Sequence, residues 1–220
     1  MVRRLIVAID GPSGAGKGTV ARTVSQTLGY RHVDTGAMYR AVGWKAIHDG
    51  VPFEDEDRLA SLARSSDIVV EGGVVSIDGH DITRAIRSPE IDKAAAAVAR
   101  LPRVREVLVA RQRQIGEQRG VVMEGRDIGT VVFPEADVKI YLDASPEERA
   151  RRRANDPAHT GGQAGQAAVA ASIEARDKSD TTRAASPLTL ALDATLIDTT
   201  GMPIDEVVSR VMNLVEGKLA

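Results

Sequence analysis

Short apolar runs alternate with longer stretches of mixed polarity along most of the chain. Leu5-Ile6-Val7-Ala8-Ile9 is apolar without a break and stops at Asp10-Gly11. An unbroken run of this length suits a central parallel strand covered on both faces. A helical pattern follows from Lys17 to Leu28, so the opening predicts a strand, a Gly-rich turn and a helix. Further short runs at 121–123, 138–142 and 194–197, the later ones separated by helical stretches, predict an α/β protein with a doubly wound parallel sheet. A last helix is predicted from about Pro203, a favoured first helical residue, through Val207, Val208, Val211 and Leu214.

The stretch between the early and late units reads differently. Residues 68–70 and 74–77 are short β-branched runs on either side of Glu71-Gly72-Gly73, which predicts a β-hairpin. An Ala-rich helix is expected over 91–101. After Pro102 a long basic helix is expected, carrying Arg103, Arg105, Arg111 and Arg113. These elements predict an inserted lobe at the carboxyl ends of the strands, where open α/β sheets bind ligands. The segment 155–165, rich in Gly, Ala, Pro and Gln, is expected to be a mobile loop.

Composition narrows the chemistry. A chain of 220 residues supports one sizeable core. A formal net charge of −2 gives no bulk attraction to nucleic acid or to an anionic membrane, and 3% aromatic content offers little for base stacking along a strand. The absence of cysteine excludes disulfides, thiolate metal sites and thiol nucleophiles, and the four histidines have no ligand spacing. No stretch approaches the roughly 18 apolar residues of a membrane span. The expectation is a cytoplasmic monomer with small-molecule partners, without nucleic acid or membrane among them.

The most specific motif is Gly11-Pro12-Ser13-Gly14-Ala15-Gly16-Lys17-Gly18-Thr19, placed between a predicted buried strand and a predicted helix. In that context it reads as a phosphate-binding loop: glycines let successive backbone N–H groups converge on phosphate oxygens, and the helix amino terminus adds positive potential. Lys17 adds a full charge at the β- and γ-phosphates. Gly18 follows the lysine where a hydroxyl is usual, and the hydroxyl comes at Thr19, which becomes the candidate magnesium ligand. No guanine-recognition motif of the N-K-x-D type is present, and Asp198-Thr199-Thr200-Gly201 falls on the last predicted strand, too late for a switch region.

Several further blocks, Asp34-Thr-Gly-Ala-Met-Tyr39-Arg40, Pro102-Arg-Val-Arg105, Gly125-Arg126-Asp127-Ile-Gly-Thr-Val-Val-Phe-Pro134, Asp143 to Arg153 and Arg176 to Pro187, occur in order along the chain. Together with the phosphate loop they resemble the bacterial cytidylate kinase family over essentially the whole length. The resemblance implies a three-layer P-loop NTPase core over 1–34, 106–145 and 176–220, a nucleoside-monophosphate lobe with a small antiparallel β element over 35–105, and a short lid over 146–175. It implies transfer of the γ-phosphoryl group of ATP, with Mg2+, to CMP or dCMP. In the family the equivalents of Arg105 and Asp127 contact cytosine, those of Arg40 and Arg126 hold the CMP phosphate, and those of Arg176 and Asp180 bind the ribose side. A serine that helps read the base in relatives is Ala96 here.

The residue chemistry supports the same positions. Two polyanions must meet, so several cations are needed around the shared phosphate, preferably Arg for its bidentate fork. Arg40, Arg126, Arg153, Arg176 and Arg183 are candidates, with Lys17, Arg126, Arg153 and Arg183 as the catalytic set. The attacking oxygen is already anionic, so no general base is required. A carboxylate at Asp127, set by Arg105, accepts from the cytosine amino group and repels a uracil carbonyl. Thr35 is a further substrate-side candidate, with Asp34 or Thr35 as a helix cap. Of Arg151, Arg152 and Arg153, at most one or two can face a phosphate from one helix; Arg153 is preferred. Tyr39 and Trp44 read equally well as core. Rival readings are a kinase for UMP, AMP or a non-nucleotide alcohol, and a nucleotide-binding module without transfer activity.

Overall fold

In the computed structural model, residues 3–156 and 166–219 are described. The apolar runs form the centre. Strands β1 (Ile6–Asp10), β2 (Arg31–Asp34), β6 (Val121–Gly125), β7 (Val138–Asp143) and β8 (Thr195–Asp198) pair in the order β2-β6-β1-β7-β8. Every pairing is parallel. Because side chains alternate across a strand, β1 supplies both faces. Leu5, Val7 and Ile9 pack with α1 (Lys17–Leu28) and α8 (Ile204–Leu219) on one side. Ile6 and Ala8 pack on the other with Val109 of α5 (Pro102–Gly116) and the turn 128–132. That two-sided burial is why the run is apolar throughout.

The central segment builds a second core around α2 (Thr35–His48), α3 (Glu56–Ser65), α4 (Pro89–Val98) and α5. Helices α2 and α4 approach so closely that a Cβ on Gly43 would lie 2.9 Å from the Cβ of Ala94. The predicted hairpin is present as β3 (Ile68–Glu71) and β4 (Val74–Ile77), extended by a short β5 (His80–Asp81). Its turn is Gly72-Gly73, both at positive φ (59° and 85°), the backbone that a two-residue hairpin loop needs and that glycine supplies without strain. Ile82, Ile86 and Ile91 join the hairpin to α2 in a third cluster, against which Trp44 packs half-buried.

The Ala-rich helix is shifted from its expected bounds of 91–101. Ser88 caps it from its side chain with Pro89 following, and it ends at Val98 because Leu101, next to Pro102, is extended (φ −85°, ψ 112°). Strand β2 and helix α3 were not anticipated; β2 has a single fully buried residue, Val33, so it carries no apolar run. Helices α6 (Pro146–Ala154) and α7 (Gln166–Thr182) follow β7 and pack on each other. Most of the expected mobile loop, residues 157–165, lies outside the described residues. No described helix is long and apolar enough to cross a membrane.

Candidate active site

A cavity of about 690 Å³ opens at the carboxyl ends of β1, β2 and β6. Its floor is the loop between β1 and α1. Gly11 has φ 147°, and a Cβ there would fall 2.0 Å from the carbonyl oxygen of Leu142, so the chain can leave β1 in this direction only through glycine. A Cβ on Gly14 (φ 80°) would lie 2.8 Å from the carbonyl oxygen of Arg149. That arginine is buried, donates to the carbonyls of Ala144 and Ser13, and pairs with Asp177, which also accepts from the Ser13 N–H at 3.3 Å. The loop is therefore braced from α6 and α7.

Residues 13–19 line the cavity, whereas Gly11 and Pro12 lie buried beneath it. The Lys17 ammonium is buried and donates to the Pro12 carbonyl at 2.7 Å. Burial, reinforced by the Arg126 charge, pulls its pKa down to about 7. Thr19 is exposed on the first turn of α1, which carries no acidic residue. Glu124, a residue the motifs did not flag, sits beside Gly18: a Cβ there would be 3.3 Å from its Oε1. The same oxygen lies 2.9 Å from Nε2 of His32. Among the described residues no three acidic or histidine side chains converge on a metal position. The Thr19 hydroxyl and the Glu124 carboxylate are hard oxygen donors beside the phosphate loop, a set suited to Mg2+ that keeps most of its ligands from phosphates and water.

The opposite half of the cavity is made of side chains. Asp34 caps α2, accepting from the Ala37 N–H at 3.0 Å, and also accepts from Arg40 at 2.8 Å. Asp34 is thus the cap, and Thr35 donates instead to the Glu124 carbonyl at 2.8 Å. Burial opposes the Asp34 charge, but Arg40 and Arg87 hold its pKa below the usual range. Arg105 and Asp127 form a buried ion pair, with the Arg105 guanidinium 5.4 Å from the Tyr39 ring centre. Tyr39 is therefore both packed in the second core and part of the site wall. Arg183 lies 3.7 Å from each of Asp127 and Asp180, and Arg126 donates to Asp180 at 2.8 Å. Burial alone would raise Asp180; Arg126 and Arg176 together hold it low.

Of the three consecutive arginines, only one reaches this cluster. Arg151 is exposed and pairs with Glu148; Arg152 donates to the Thr199 hydroxyl and carbonyl; Arg153 pairs with Asp92 of α4. Asp92 also accepts from Arg176 at 3.1 Å, tying α6 and α7 to α4. Ala96 lines the cavity nearby. The Nε groups of Arg40, Arg105 and Arg176, and NH2 of Arg183, are buried without a hydrogen-bond partner among the described residues. Buried donors in this state are costly.

Residues 13–19, Thr35, Arg40, Arg105, Arg126, Asp127, Arg153, Arg176, Asp180 and Arg183 all line this one cavity. Asp10, Asp92, Glu124 and Arg149 were missed. Glu124 and Asp10 carried a signal, each being an acidic residue at the end of an apolar run; Asp92 and Arg149 sit in ordinary helical sequence and carried none.

The family model described as cytidylate kinase matches residues 7–217. The cytidylate kinase of Desulfitobacterium hafniense (strain Y51) is 48% identical over 222 residues, covering 100% of this chain and 96% of that protein. The cytidylate kinase of Pelotomaculum thermopropionicum is 52% identical over 211 residues, 94% of this chain and 93% of that protein. Among solved structures, shikimate kinase from Acinetobacter baumannii superposes with a TM-score of 0.51 at 13% identity, over 98% of this chain and 95% of that one, which is a likeness of fold alone.

Proposed function

The chain belongs to the cytidylate kinase family, and on that footing we propose how its residues divide the work of moving the γ-phosphoryl group of ATP onto CMP or dCMP. The enzyme is a phosphotransferase of pyrimidine nucleotide metabolism. The observation that carries the assignment of roles is that the largely buried arginines 40, 105, 126, 176 and 183 line one cavity together with the phosphate loop.

The loop 11–19 receives ATP, its backbone N–H groups and the α1 amino terminus holding the β- and γ-phosphates. Lys17 leaves the Pro12 carbonyl for a phosphate oxygen, and the dianionic neighbour restores the charge that burial suppresses. Arg40 and Arg126 hold the CMP phosphate, so that its oxygen lies in line with the γ-phosphorus. Arg153 and Arg183 face the charge that spreads over the transferring group. No side chain need remove a proton, because the attacking oxygen is anionic. Arg105 and Asp127 read the cytosine amino group, and Arg176 and Asp180 flank the ribose, with Thr35 beside them. Thr19 and Glu124 would hold Mg2+, which would supply positive charge to the ATP phosphates.

The segment 35–105 serves as the acceptor lobe and 146–175 as the lid within a single domain, with 1–34, 106–145 and 176–220 as the core. Closure of the lid excludes water that would otherwise hydrolyse ATP. The protein works as a cytoplasmic monomer; all the roles above fall to residues of one chain.

The test is a coupled ADP-release assay with ATP and Mg2+, comparing CMP, dCMP, UMP and AMP for the wild type and Asp127→Ala. Turnover with CMP and dCMP, little with UMP or AMP, and its loss in the variant are expected. Equal turnover with UMP would assign a relaxed selectivity to Ala96. ATP binding with no transfer to any acceptor would leave only a binding module.

A further inference from the structure

Asp10 is the last residue of β1, stands directly before the phosphate loop and is 5% exposed. None of the roles above uses it. Its carboxylate is bonded to the turn after β6: Oδ1 accepts from the Ile128 N–H at 2.8 Å and Oδ2 from the Gly129 N–H at 2.7 Å. Those two N–H groups follow Arg126 and Asp127 directly. The Asp127 carbonyl is fixed in turn by the N–H groups of Val131 and Val132 at 2.9 and 3.1 Å. The turn is also seated tightly, since a Cβ on Gly129 would lie 3.4 Å from Asp10 Oδ2 and 3.2 Å from the Lys139 side chain. Ile128 is fully buried, so no solvent replaces these bonds if the carboxylate is lost. Burial lifts the Asp10 pKa to about 6 against the pull of the two N–H donors, which still leaves a carboxylate at neutral pH.

We propose that Asp10 is a positioning residue for acceptor recognition, its two carboxylate oxygens fixing the turn that aims Arg126 and Asp127 relative to the phosphate loop. The strand that launches the donor loop thereby also sets the register of the acceptor's reader. This rests on the base- and phosphate-binding roles given above to Asp127 and Arg126.

Asp10→Asn keeps the volume but turns one acceptor into a donor facing an N–H. Steady-state kinetics should show KM for CMP raised about tenfold, the scale of one charge-assisted hydrogen bond, with KM for ATP changed less than about threefold. The CMP-to-UMP ratio of kcat/KM should fall by a similar factor, because a displaced Asp127 no longer discriminates. A merely structural role would alter both KM values together or lower only the melting temperature. Equal changes for CMP and ATP, or an unchanged CMP-to-UMP ratio, overturn the proposal. Gly129→Ala, which crowds Oδ2 while keeping the carboxylate, should lower the same ratio more mildly; if Asp10→Asn does not fold, an unchanged ratio in Gly129→Ala overturns it instead. Asp127→Ala measured alongside separates the two readings. Lost discrimination there with none lost in Asp10→Asn defeats the positioning role alone, whereas intact discrimination in Asp127→Ala defeats the base-reading role and this one with it.

Discussion

The two ends of the cavity are built on opposite plans. The end proposed to take ATP is one continuous loop, 11–19, of which residues 13–19 line the cavity and offer backbone N–H groups and a helix terminus. The end proposed to take the acceptor draws Arg40 from α2, Arg105 from α5, Arg126 and Asp127 from the turn after β6, and Arg176, Asp180 and Arg183 from α7 and its end. Backbone groups cannot be mutated away one at a time, and their dipoles cost nothing to hold in place once the loop is folded. Side chains with full charges can be aimed at a base and a sugar, but without the ligand they must be kept apart by counter-charges. Asp34, Asp92, Asp127 and Asp180 supply these.

The largest effect expected from this contrast is at Lys17, the one full charge in the donor loop. Lys17→Met should lower kcat by about 10³-fold while raising the melting temperature of the nucleotide-free protein, since it removes a buried cation pressed by Arg126. A variant that loses activity and stability together would break the contrast. Asp127→Ala should instead lower stability, by about 3 kcal/mol, along with CMP turnover, because the buried Arg105 loses its carboxylate and Arg183 is left with Asp180 alone of its two; calorimetry and kcat/KM measure both.

Asp92→Asn should be milder. Arg153 and Arg176 lose a shared carboxylate but are partly solvated, so a fall in kcat/KM for CMP of about tenfold is expected, with ATP binding by calorimetry unaffected. A pH series sharpens the donor side further. Lys17 titrates at about 7 in the fold and near the ordinary lysine value of 10.5 when unfolded, so the unfolded chain binds more protons between those values. Its contribution to the stability of the nucleotide-free protein should therefore rise with pH across that window, seen in denaturant melts. ATP should reverse the trend by taking up a proton at Lys17 on binding. The smallest effect belongs to Arg151→Ala, within about 0.5 kcal/mol in melting and without change in kcat, because the Arg151 side chain is exposed and its ion pair among the described residues is with its helix neighbour Glu148.

What was legible in the sequence follows the same division. The α1 bounds were readable residue for residue, since a Gly-rich turn and an amphipathic run are local signals. The hairpin turn was readable from Gly72-Gly73. Strand β2 was not, being at the sheet edge with one buried side chain, nor was the turn 128–132, which is held by an acceptor 118 residues away in sequence. Among the three arginines at 151–153 the helix period limited the choice to one or two; Asp92, reached only through packing of α4 against α6 and α7, selects Arg153.

By itself, then, the sequence determined the β–loop–α phosphate site, the parallel sheet and the residue types that the acceptor must meet, because each is written in neighbouring residues or in periodicity. Only the tertiary structure decided which carboxylate faces which guanidinium, that Glu124 fills the space beside Gly18, and that the Asp10 carboxylate accepts from the N–H groups of Ile128 and Gly129. Those outcomes depend on distances between segments scores of residues apart, and Coulomb and hydrogen-bond energies depend on distance in space, with no trace in the order of residues along the chain.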